Sequence, residues 1–196
     1  MKTVVITGGS DGLGKATAEN NCDYYVCDVK DATQVAETFQ KIHDKHQRID
    51  VLLNNAGVIV NGDLVDTTYE DITNVITTNT LGSVYSAKAA LQYMKPQKSG
   101  LIINVVSQAG LIARPNRSIY NASKWAITGF TKALQQEAAA YNVRVSGFYP
   151  GTIKTDLICQ SWLASQQFCY YYRPGRKSHR VFATNGRGCP DTTARY

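Results

Sequence analysis

The sequence lacks any apolar run approaching the roughly 18 residues that a bilayer-spanning helix needs. Met1-Lys2-Thr3 leads directly into a short apolar segment, so we expect no signal peptide. None of the five cysteines forms a Cys-x-x-Cys pair, and their number is odd. These features argue against a disulfide framework or a zinc site, and they predict a cytoplasmic protein without a membrane partner.

The first four fifths of the chain also lack an excess of either charge sign. The net charge is +6, but residues 1–158 carry fifteen Lys and Arg against fourteen Asp and Glu. Residues 159–196 carry six Lys and Arg against one Asp, so only the end of the chain is basic. A basic, aromatic segment can bind single-stranded nucleic acid by charge and stacking. We nevertheless favour the absence of a nucleic-acid partner, because the body is not basic.

Predicted strands and helices alternate along the first 157 residues. At 196 residues the chain is long enough for one domain with a sizeable core. Alternation of this kind predicts an α/β fold with a parallel sheet and right-handed crossovers. The predicted strands are 3–7, 24–27, 50–53, 101–106 and 143–149, and the predicted helices are 31–47, 68–94 and 118–141.

A glycine-rich turn follows the first predicted strand, where Thr7 leads into Gly8-Gly9-Ser10-Asp11-Gly12-Leu13-Gly14. Glycines let a backbone approach a pyrophosphate closely, and the start of a helix offers free N–H groups and partial positive charge. The turn predicts a nucleotide-phosphate site, although by itself it is a weak signal. For Asn54-Asn55-Ala56-Gly57, after the third predicted strand, the alternative to a ligand site is a tight turn.

Further polar or small residues follow the other predicted strands. Asn54-Asn55-Ala56-Gly57 follows the third strand, Ser107 the fourth, and Pro150-Gly151 the last. Parallel strands end at the same edge of a sheet, and open α/β sheets bind their ligands there. We therefore expect these segments to meet the glycine-rich turn in one crevice.

Tyr120 and Lys124 lie four residues apart in a predicted helix, so their side chains share one face. A free tyrosine has a pKa of about 10, which is high for proton transfer near neutrality. A positive charge within about 4–6 Å favours the phenolate and lowers that pKa. The pair is common on protein surfaces, and it gains meaning only from the segments expected beside it.

In this order and spacing, the motifs resemble those of the short-chain dehydrogenase/reductase family. The matching pieces are Thr7-Gly8-x-x-x-Gly12-x-Gly14, Asn54-Asn55-Ala56-Gly57, Asn79, Ser107, Tyr120-x-x-x-Lys124 and Pro150-Gly151-x-x-x-Thr155. The resemblance implies a Rossmann-type, doubly wound sheet, an NAD or NADP cofactor, and interconversion of a carbonyl and an alcohol. It also implies a homo-oligomer that pairs through helices 68–94 and 118–141.

The resemblance also implies roles for individual residues. Ser107 would hydrogen-bond the substrate oxygen, Tyr120 would transfer its proton, Lys124 would lower the tyrosine pKa and hold the nicotinamide ribose, and Asn79 would position a water. The cofactor-binding residues would be Gly8, Ser10, Gly12, Leu13, Gly14, Asp28, Asn54, Ala56, Gly57, Tyr120, Lys124, Pro150, Gly151, Ile153 and Thr155. No metal site is expected.

The chain departs from the family pattern after Glu19, where the end of a helix, a strand and a second helix are absent. The sheet should therefore be reduced in strand number. In one hypothesis, strand 24–27 pairs directly beside strand 3–7, and Asp28 then meets the ribose 2′-OH and favours NAD. In the alternative, strand 24–27 keeps its ordinary place and leaves a gap beside strand 3–7.

A second departure begins after Leu157. Residues 1–157 are predicted to form the dinucleotide-binding and catalytic domain, and residues 158–196 an atypical basic tail without sustained helical or strand period. Two interpretations remain open: an NAD(P)-dependent oxidoreductase acting on a secondary alcohol or ketone, or a weak or inactive remnant that binds nucleotide or pairs with other subunits. The sequence does not identify the substrate.

Overall fold

The computed structural model describes residues 2–9, 13–14 and 23–151, and the backbone of residues 169–172 and 180–182. Four parallel strands lie side by side in chain order: β1 Val4–Ile6, β2 Val51–Asn54, β3 Gly100–Val105 and β4 Val143–Pro150. Val5 lies beside Leu52, and Leu52 beside Ile102. The predicted α/β fold, with a Rossmann-type sheet reduced in strand number, is confirmed.

Helices occupy the connections between the parallel strands. They are α1 Ala32–His46, α2 Tyr69–Ile76, α3 Gly82–Gln97 and α4 Ser118–Ala139, with short 3₁₀ turns at Leu64–Asp66 and Gln108–Gly110. Helix α1 starts at Asp31, whose side chain accepts hydrogen bonds from the N–H groups of Thr33 and Gln34. Such a cap satisfies N–H groups that have no partner within the helix.

The core lies between the sheet and the helices packed against it. Val35, Phe39 and Ile42, which the helical spacing of α1 places on one face, are all buried there. They belong to the same apolar cluster as Leu52 and Ile102 of the sheet. This core fixes the strands in register and so fixes the positions of the residues at their ends.

The predicted strand 24–27 is absent. Residues 23–28 form no strand, and the side chains of Tyr24 and Val26 are 82% and 104% exposed. Asp23 instead forms ion pairs with Lys45 and His46 near the end of α1. The hypothesis that places this segment beside β1 is therefore wrong for the described residues, because the segment lies along the helix.

As a result, β1 is an edge strand in the part of the chain that the structure describes. It pairs with β2 only, and Val4 is half-exposed. At the opposite edge, β5 Cys169–Tyr172 pairs antiparallel to β4, and β6 Arg180–Phe182 pairs antiparallel to β5. The sequence predicted no strands in these two segments of the tail.

Within the described residues, no helix combines the length and the hydropathy that crossing a membrane requires. The same residues contain no cluster of three metal-binding side chains.

Candidate active site

The strand ends meet at one edge of the sheet, as the motif order predicts. Since β1 to β4 are parallel and in register, the residues that follow them all emerge on the same side. The described residues of the glycine-rich turn, the Asn-Asn-Ala-Gly segment and Ser107 therefore lie at the same edge of the sheet as the end of β4. The helix that carries Tyr120 and Lys124 borders this edge.

Hydrogen bonds join the glycine-rich turn to the segment after β2. The Thr7 hydroxyl accepts from the N–H groups of Asn55 and Ala56, each at 3.0 Å. The Asn55 amide donates to the carbonyl oxygens of Thr7 and Gly8, at 3.2 and 3.3 Å. Two strand ends are thereby fixed as one backbone surface.

Glycine is required at two points of this surface. Gly8 has φ +68°, and a Cβ there would lie 2.9 Å from the Cα of Ala56. A Cβ on Gly14 would overlap the Gly8 carbonyl oxygen and the Asn55 side chain. At Gly8 and Gly14 the backbone therefore carries no side chain and packs closely beside the helical residue Leu13. A pyrophosphate site requires a backbone that a ligand can approach in this way. The residues present fit a dinucleotide.

The two neighbouring asparagines have different positions. Asn54, predicted to bind the cofactor, is 2% exposed and donates to the Ser83 carbonyl and to the Asn104 side chain. It lies in the core because strand alternation places it on the same buried face as Leu52. The prediction for Asn54 is therefore corrected: Asn55, together with Thr7, organises the cradle. The alternation of buried and less buried residues along β2 is the sequence signal that separates Asn54 from Asn55.

Tyr120, Ser107 and Lys124 come together below the crevice. The Ser107 side chain lies close enough to the Tyr120 phenol to lower its pKa. The Lys124 ammonium lies 5.7 Å from the centre of the Tyr120 ring and donates to the Val105 carbonyl oxygen at 3.0 Å. Gly57 faces this ammonium, since a Cβ on Gly57 would lie 3.7 Å from it. The segment after β2 thus passes directly over the lysine.

Burial dominates the electrostatics of the pair. It raises the pKa of Tyr120 above its usual value, against the lowering effects of the Ser107 hydrogen bond and the positive charge of Arg117. Burial also lowers the pKa of Lys124 to about 8. A lysine with that pKa has lost its proton before the phenol ionises. The lowering of the Tyr120 pKa that we expected from Lys124 is therefore not found in the free protein.

Ser107 has an unusual backbone conformation, with φ 138° and ψ 161°. This region is essentially restricted to glycine and costs on the order of 1–3 kcal/mol for other residues. The side chain of Ser107 accepts from the Ala109 N–H at 3.2 Å and starts the 3₁₀ turn 108–110. Strand β3 is thus followed by a strained residue that also caps the next turn.

Asn79 lies in a π-helical turn, Thr77–Leu81, that separates α2 from α3. The predicted helix 68–94 is therefore two helices. The Asn79 amide oxygen accepts from the Val58 N–H at 2.8 Å, and its amide nitrogen donates to the Val58 carbonyl and the Ser123 hydroxyl. Both N–H donors of this side chain are used within the protein, so it clamps the segment after β2 to α4.

The remaining predicted residues divide into three groups. Pro150 is buried and Gly151 is partly buried at the end of β4, on the expected edge. Asp28 is exposed and accepts from the Lys30 N–H in the turn before α1, so the strand that was to present it to a ribose is missing. Ser10, Gly12, Ile153 and Thr155 lie outside the described residues.

Fold and site together define a Rossmann-type nucleotide-binding protein with a serine, tyrosine and lysine at the sheet edge. The family model for short chain dehydrogenase matches residues 19–164. A curated oxidoreductase of Botryotinia fuckeliana, BOA17, is 35% identical over 179 residues, covering 77% of this chain and 65% of that protein. The human 3-oxoacyl-[acyl-carrier-protein] reductase is 35% identical over 158 residues, covering 80% of this chain and 67% of the human protein.

A solved structure agrees with these relatives. The structure described as ElxO with NADP bound superposes with a TM-score of 0.76 at 32% identity, covering 81% of this chain and 77% of that one. The chain belongs to the short-chain dehydrogenase family. The expected cofactor class, NAD or NADP, is confirmed by this membership. The chain spans about two thirds of the length of the two curated relatives.

Proposed function

We propose that the protein is an NAD(P)-dependent oxidoreductase that interconverts a ketone and a secondary alcohol. The observation that carries this proposal is the grouping of Ser107, Tyr120 and the buried Lys124 at the cradle edge, with the Lys124 ammonium 5.7 Å from the centre of the Tyr120 ring. The names of the relatives, a 3-oxoacyl reductase and an oxidoreductase, are consistent with it. The proposed mechanism depends on whether Tyr120 and Lys124 carry a proton.

When bound, the reduced nicotinamide supplies a hydride equivalent to the carbonyl carbon. Tyr120 supplies the proton to the carbonyl oxygen, so an alcohol forms and the tyrosine must recover a proton from water. Burial raises its pKa, so the phenol carries its proton near neutrality. Because a raised pKa makes proton release harder, the proposed transfer depends on stabilisation of the phenolate by Lys124. Ser107 orients the phenol and the substrate oxygen.

Lys124 carries a proton below pH 8 and stabilises the phenolate as it forms. Its ammonium would also hold the nicotinamide ribose, and the Thr7–Asn55 surface with Gly8 and Gly14 would hold the pyrophosphate. Gly12 would hold the pyrophosphate with them, and Ile153 and Thr155 would contact the carboxamide. The further residues proposed to bind the cofactor are Ser10, Leu13, Ala56, Gly57, Pro150 and Gly151. Asn79 would support the site by fixing Val58.

The test is reduction of a panel of small ketones with NADH and with NADPH, followed by loss of absorbance at the nicotinamide band. Tyr120→Phe removes only the hydroxyl, and we expect it to lower kcat by roughly 100- to 10,000-fold. Titration of Tyr120→Phe with reduced cofactor should leave the dissociation constant within a few-fold of that of the wild-type protein. Equal kcat values for the two proteins would refute the role of Tyr120.

A weak or inactive remnant is the second candidate, and one observation favours it. Strand β1 has no neighbour on its outer side within the described residues, so the crevice is bordered on one side only. Binding of reduced cofactor without turnover of any ketone would support this candidate. If the protein neither binds reduced cofactor nor reduces a ketone, the proposed oxidoreductase function is excluded.

We also propose a cytoplasmic homo-oligomer. Helices α3 and α4 border an exposed groove of about 350 Å³ with apolar walls, which include Leu91, Phe130 and Leu134. Trp125, on the same helix α4, is 51% exposed. An apolar groove on two adjacent helices suits a second copy of the chain, and light scattering of the purified protein tests this. The odd number of cysteines suits the cytoplasm.

A further inference from the structure

The strained backbone of Ser107 is held by the turn that follows it. Its φ of 138° lies in a region that residues with a side chain rarely adopt, so surrounding contacts must maintain it. The Gly110 N–H donates to the Ser107 carbonyl oxygen at 3.0 Å, and the Ala109 N–H donates to the Ser107 hydroxyl at 3.2 Å. The position of residues 108–110 therefore sets the conformation of Ser107.

Thr128 of helix α4 anchors this turn through its hydroxyl group. The side chain is buried, and the hydroxyl donates to the Gly110 carbonyl oxygen at 2.9 Å. The same hydroxyl lies 3.1 Å from the Lys124 carbonyl oxygen, one helical turn earlier. Thr128 thereby connects the turn after Ser107 to the part of α4 that carries Lys124.

The turn also packs closely against its surroundings at Gly110. A Cβ on Gly110 would lie 2.5 Å from Cγ1 of Val106 and 2.7 Å from the Thr128 hydroxyl oxygen. Val106, the residue before Ser107, is itself buried. The backbone of Gly110 thus rests directly on helix α4 and on the residue that follows β3, and the Thr128 hydroxyl is the polar contact between this turn and the helix.

We propose that Thr128 is a positioning residue that keeps Ser107 in its strained conformation by holding residues 108–110 against α4. The inference rests on the proposed function, in which Ser107 orients the substrate oxygen. Without the Thr128 hydroxyl, the buried Gly110 carbonyl loses this partner, and the turn moves away from the helix. Ser107 then relaxes towards an ordinary φ and no longer directs its hydroxyl at the reacting groups. Thr128 takes no part in proton or hydride transfer.

Steady-state kinetics of Thr128→Val, which replaces the hydroxyl by a methyl group, test the effect on turnover. We expect kcat to fall by roughly 10- to 100-fold, because a displacement of about 1 Å in a reacting group has an effect of this size. The dissociation constant of the reduced cofactor should stay within a few-fold of the wild-type value, and Thr128→Ser, which keeps the hydroxyl, should retain most of the turnover.

Thr131→Val is the matched control for these kinetics. Thr131 is a second buried threonine of α4, but its hydroxyl accepts from the Asn104 amide at 2.9 Å and does not contact the turn. Its substitution removes a buried hydroxyl from the same helix, so it reproduces any general loss of stability. We expect the kcat of this variant to stay within a few-fold of the wild-type value.

A double-mutant cycle with Ser107→Gly measures the strain without any substrate. Glycine adopts a φ of 138° without strain, so this substitution relieves strain only where the strain is present. We expect the change in urea midpoint caused by Ser107→Gly to be more favourable in the wild-type background than in the Thr128→Val background. Equal changes in the two backgrounds, or the opposite order, would show that Thr128 does not hold Ser107 and would reject the proposal.

The kinetic outcomes separate this proposal from the proposed function. If Thr128→Val keeps the wild-type kcat, or if Thr131→Val loses as much, the positioning role is wrong while the oxidoreductase stands. Loss of cofactor binding in Thr128→Val also rejects it, because the substitution then damages more than the turn. If the wild-type protein reduces no ketone with either cofactor, the proposed function is rejected, and the double-mutant cycle still decides the role of Thr128.

Discussion

At the residue scale, Tyr120 and Lys124 show opposite consequences of the same burial. Burial disfavours the charged form of each, so it raises the pKa of the phenol and lowers that of the ammonium to about 8. The first effect keeps a proton on the general acid. The second effect means that the buried Lys124, which is still protonated at neutral pH, lowers the free energy of unfolding of the cofactor-free protein there.

We therefore expect Lys124→Met to stabilise the cofactor-free protein at pH 7 while abolishing turnover. A shift from 10.5 to about 8 corresponds to at most about 3 kcal/mol, less the lost hydrogen bond to the Val105 carbonyl. Between pH 8 and 10.5 the unfolded chain binds this proton more tightly, so the wild-type free energy of unfolding rises with pH. The advantage of the variant should therefore vanish by about pH 10.5.

Urea unfolding of both proteins at pH 7 and pH 10 measures this difference. Lys132→Met, which removes an exposed lysine from the same helix, is the matched control and should change stability by less than about 0.5 kcal/mol. A variant that is less stable than wild type at pH 7 would show that the ammonium is well solvated, contrary to its 6% exposure.

The sequence predicted which segments lie at the site, but it did not always predict which residue of a segment faces it. The motifs placed Ser107, Tyr120 and Lys124 correctly at one edge, because parallel strands and the helical i, i+4 spacing determine that arrangement. They did not separate Asn54 from Asn55, since that requires the period of a four-residue strand.

At the element scale, the π turn at Asn79 has a packing consequence that the helical pattern could not predict. The wider turn carries Asn79 into the space between the segment after β2 and helix α4, where it is 1% exposed. Insertions of this kind often occur at functional sites. The side chain of Asn79 connects its own helical turn to Val58, in the segment after β2, and to Ser123 of helix α4.

Asn79→Ala should destabilise the protein, because it removes three hydrogen bonds and leaves the Val58 N–H without its partner. Each buried group left unpaired costs about 1–3 kcal/mol, so a loss of roughly 2–4 kcal/mol is expected in urea unfolding. Asn74→Ala, in the preceding helix, is the control, since the hydrogen bonds of its side chain are long, at 3.4 Å. Equal effects of the two substitutions would contradict the clamp.

The failure of the strand prediction at 24–27 has a physical cause. The residues Tyr24 to Cys27 have the composition of a strand, but they do not pair with the outer edge of β1, which is free among the described residues. The short connection after Gly14 removed the strand that would lie between this segment and β1 in the full family pattern. Asp23 forms ion pairs with Lys45 and His46 instead.

At the scale of the whole molecule, the described parallel sheet corresponds to one half of a Rossmann sheet. In the common order 3-2-1-4-5-6, the first strand lies in the middle and the dinucleotide crosses the sheet there. Here the order is β1-β2-β3-β4, so β1 lies at an edge. The half that bears Ser107, Tyr120 and Lys124 is present, and strands that would lie under the adenosine are missing from the described part.

This asymmetry predicts which part of the cofactor determines affinity. In the proposed arrangement, Thr7, Gly8 and Asn55 would hold the pyrophosphate and Lys124 the nicotinamide ribose, whereas Asp28 accepts a hydrogen bond from the Lys30 N–H in its own turn. We therefore expect reduced nicotinamide mononucleotide to bind within about tenfold of NADH, a difference of at most roughly 1.4 kcal/mol. NADPH should bind about as well as NADH, because no described strand presents a ribose-reading residue.

Fluorescence titrations of the three reduced nucleotides at one ionic strength measure these affinities without requiring turnover. Gly14→Val, whose side chain would overlap the Gly8 carbonyl, should weaken all three together, which shows that they share the cradle. NADH binding more than a hundredfold tighter than the mononucleotide would mean that the adenosine half has its own site. The half-sheet would then be a complete dinucleotide binder, and its exposed edge at β1 would need another explanation.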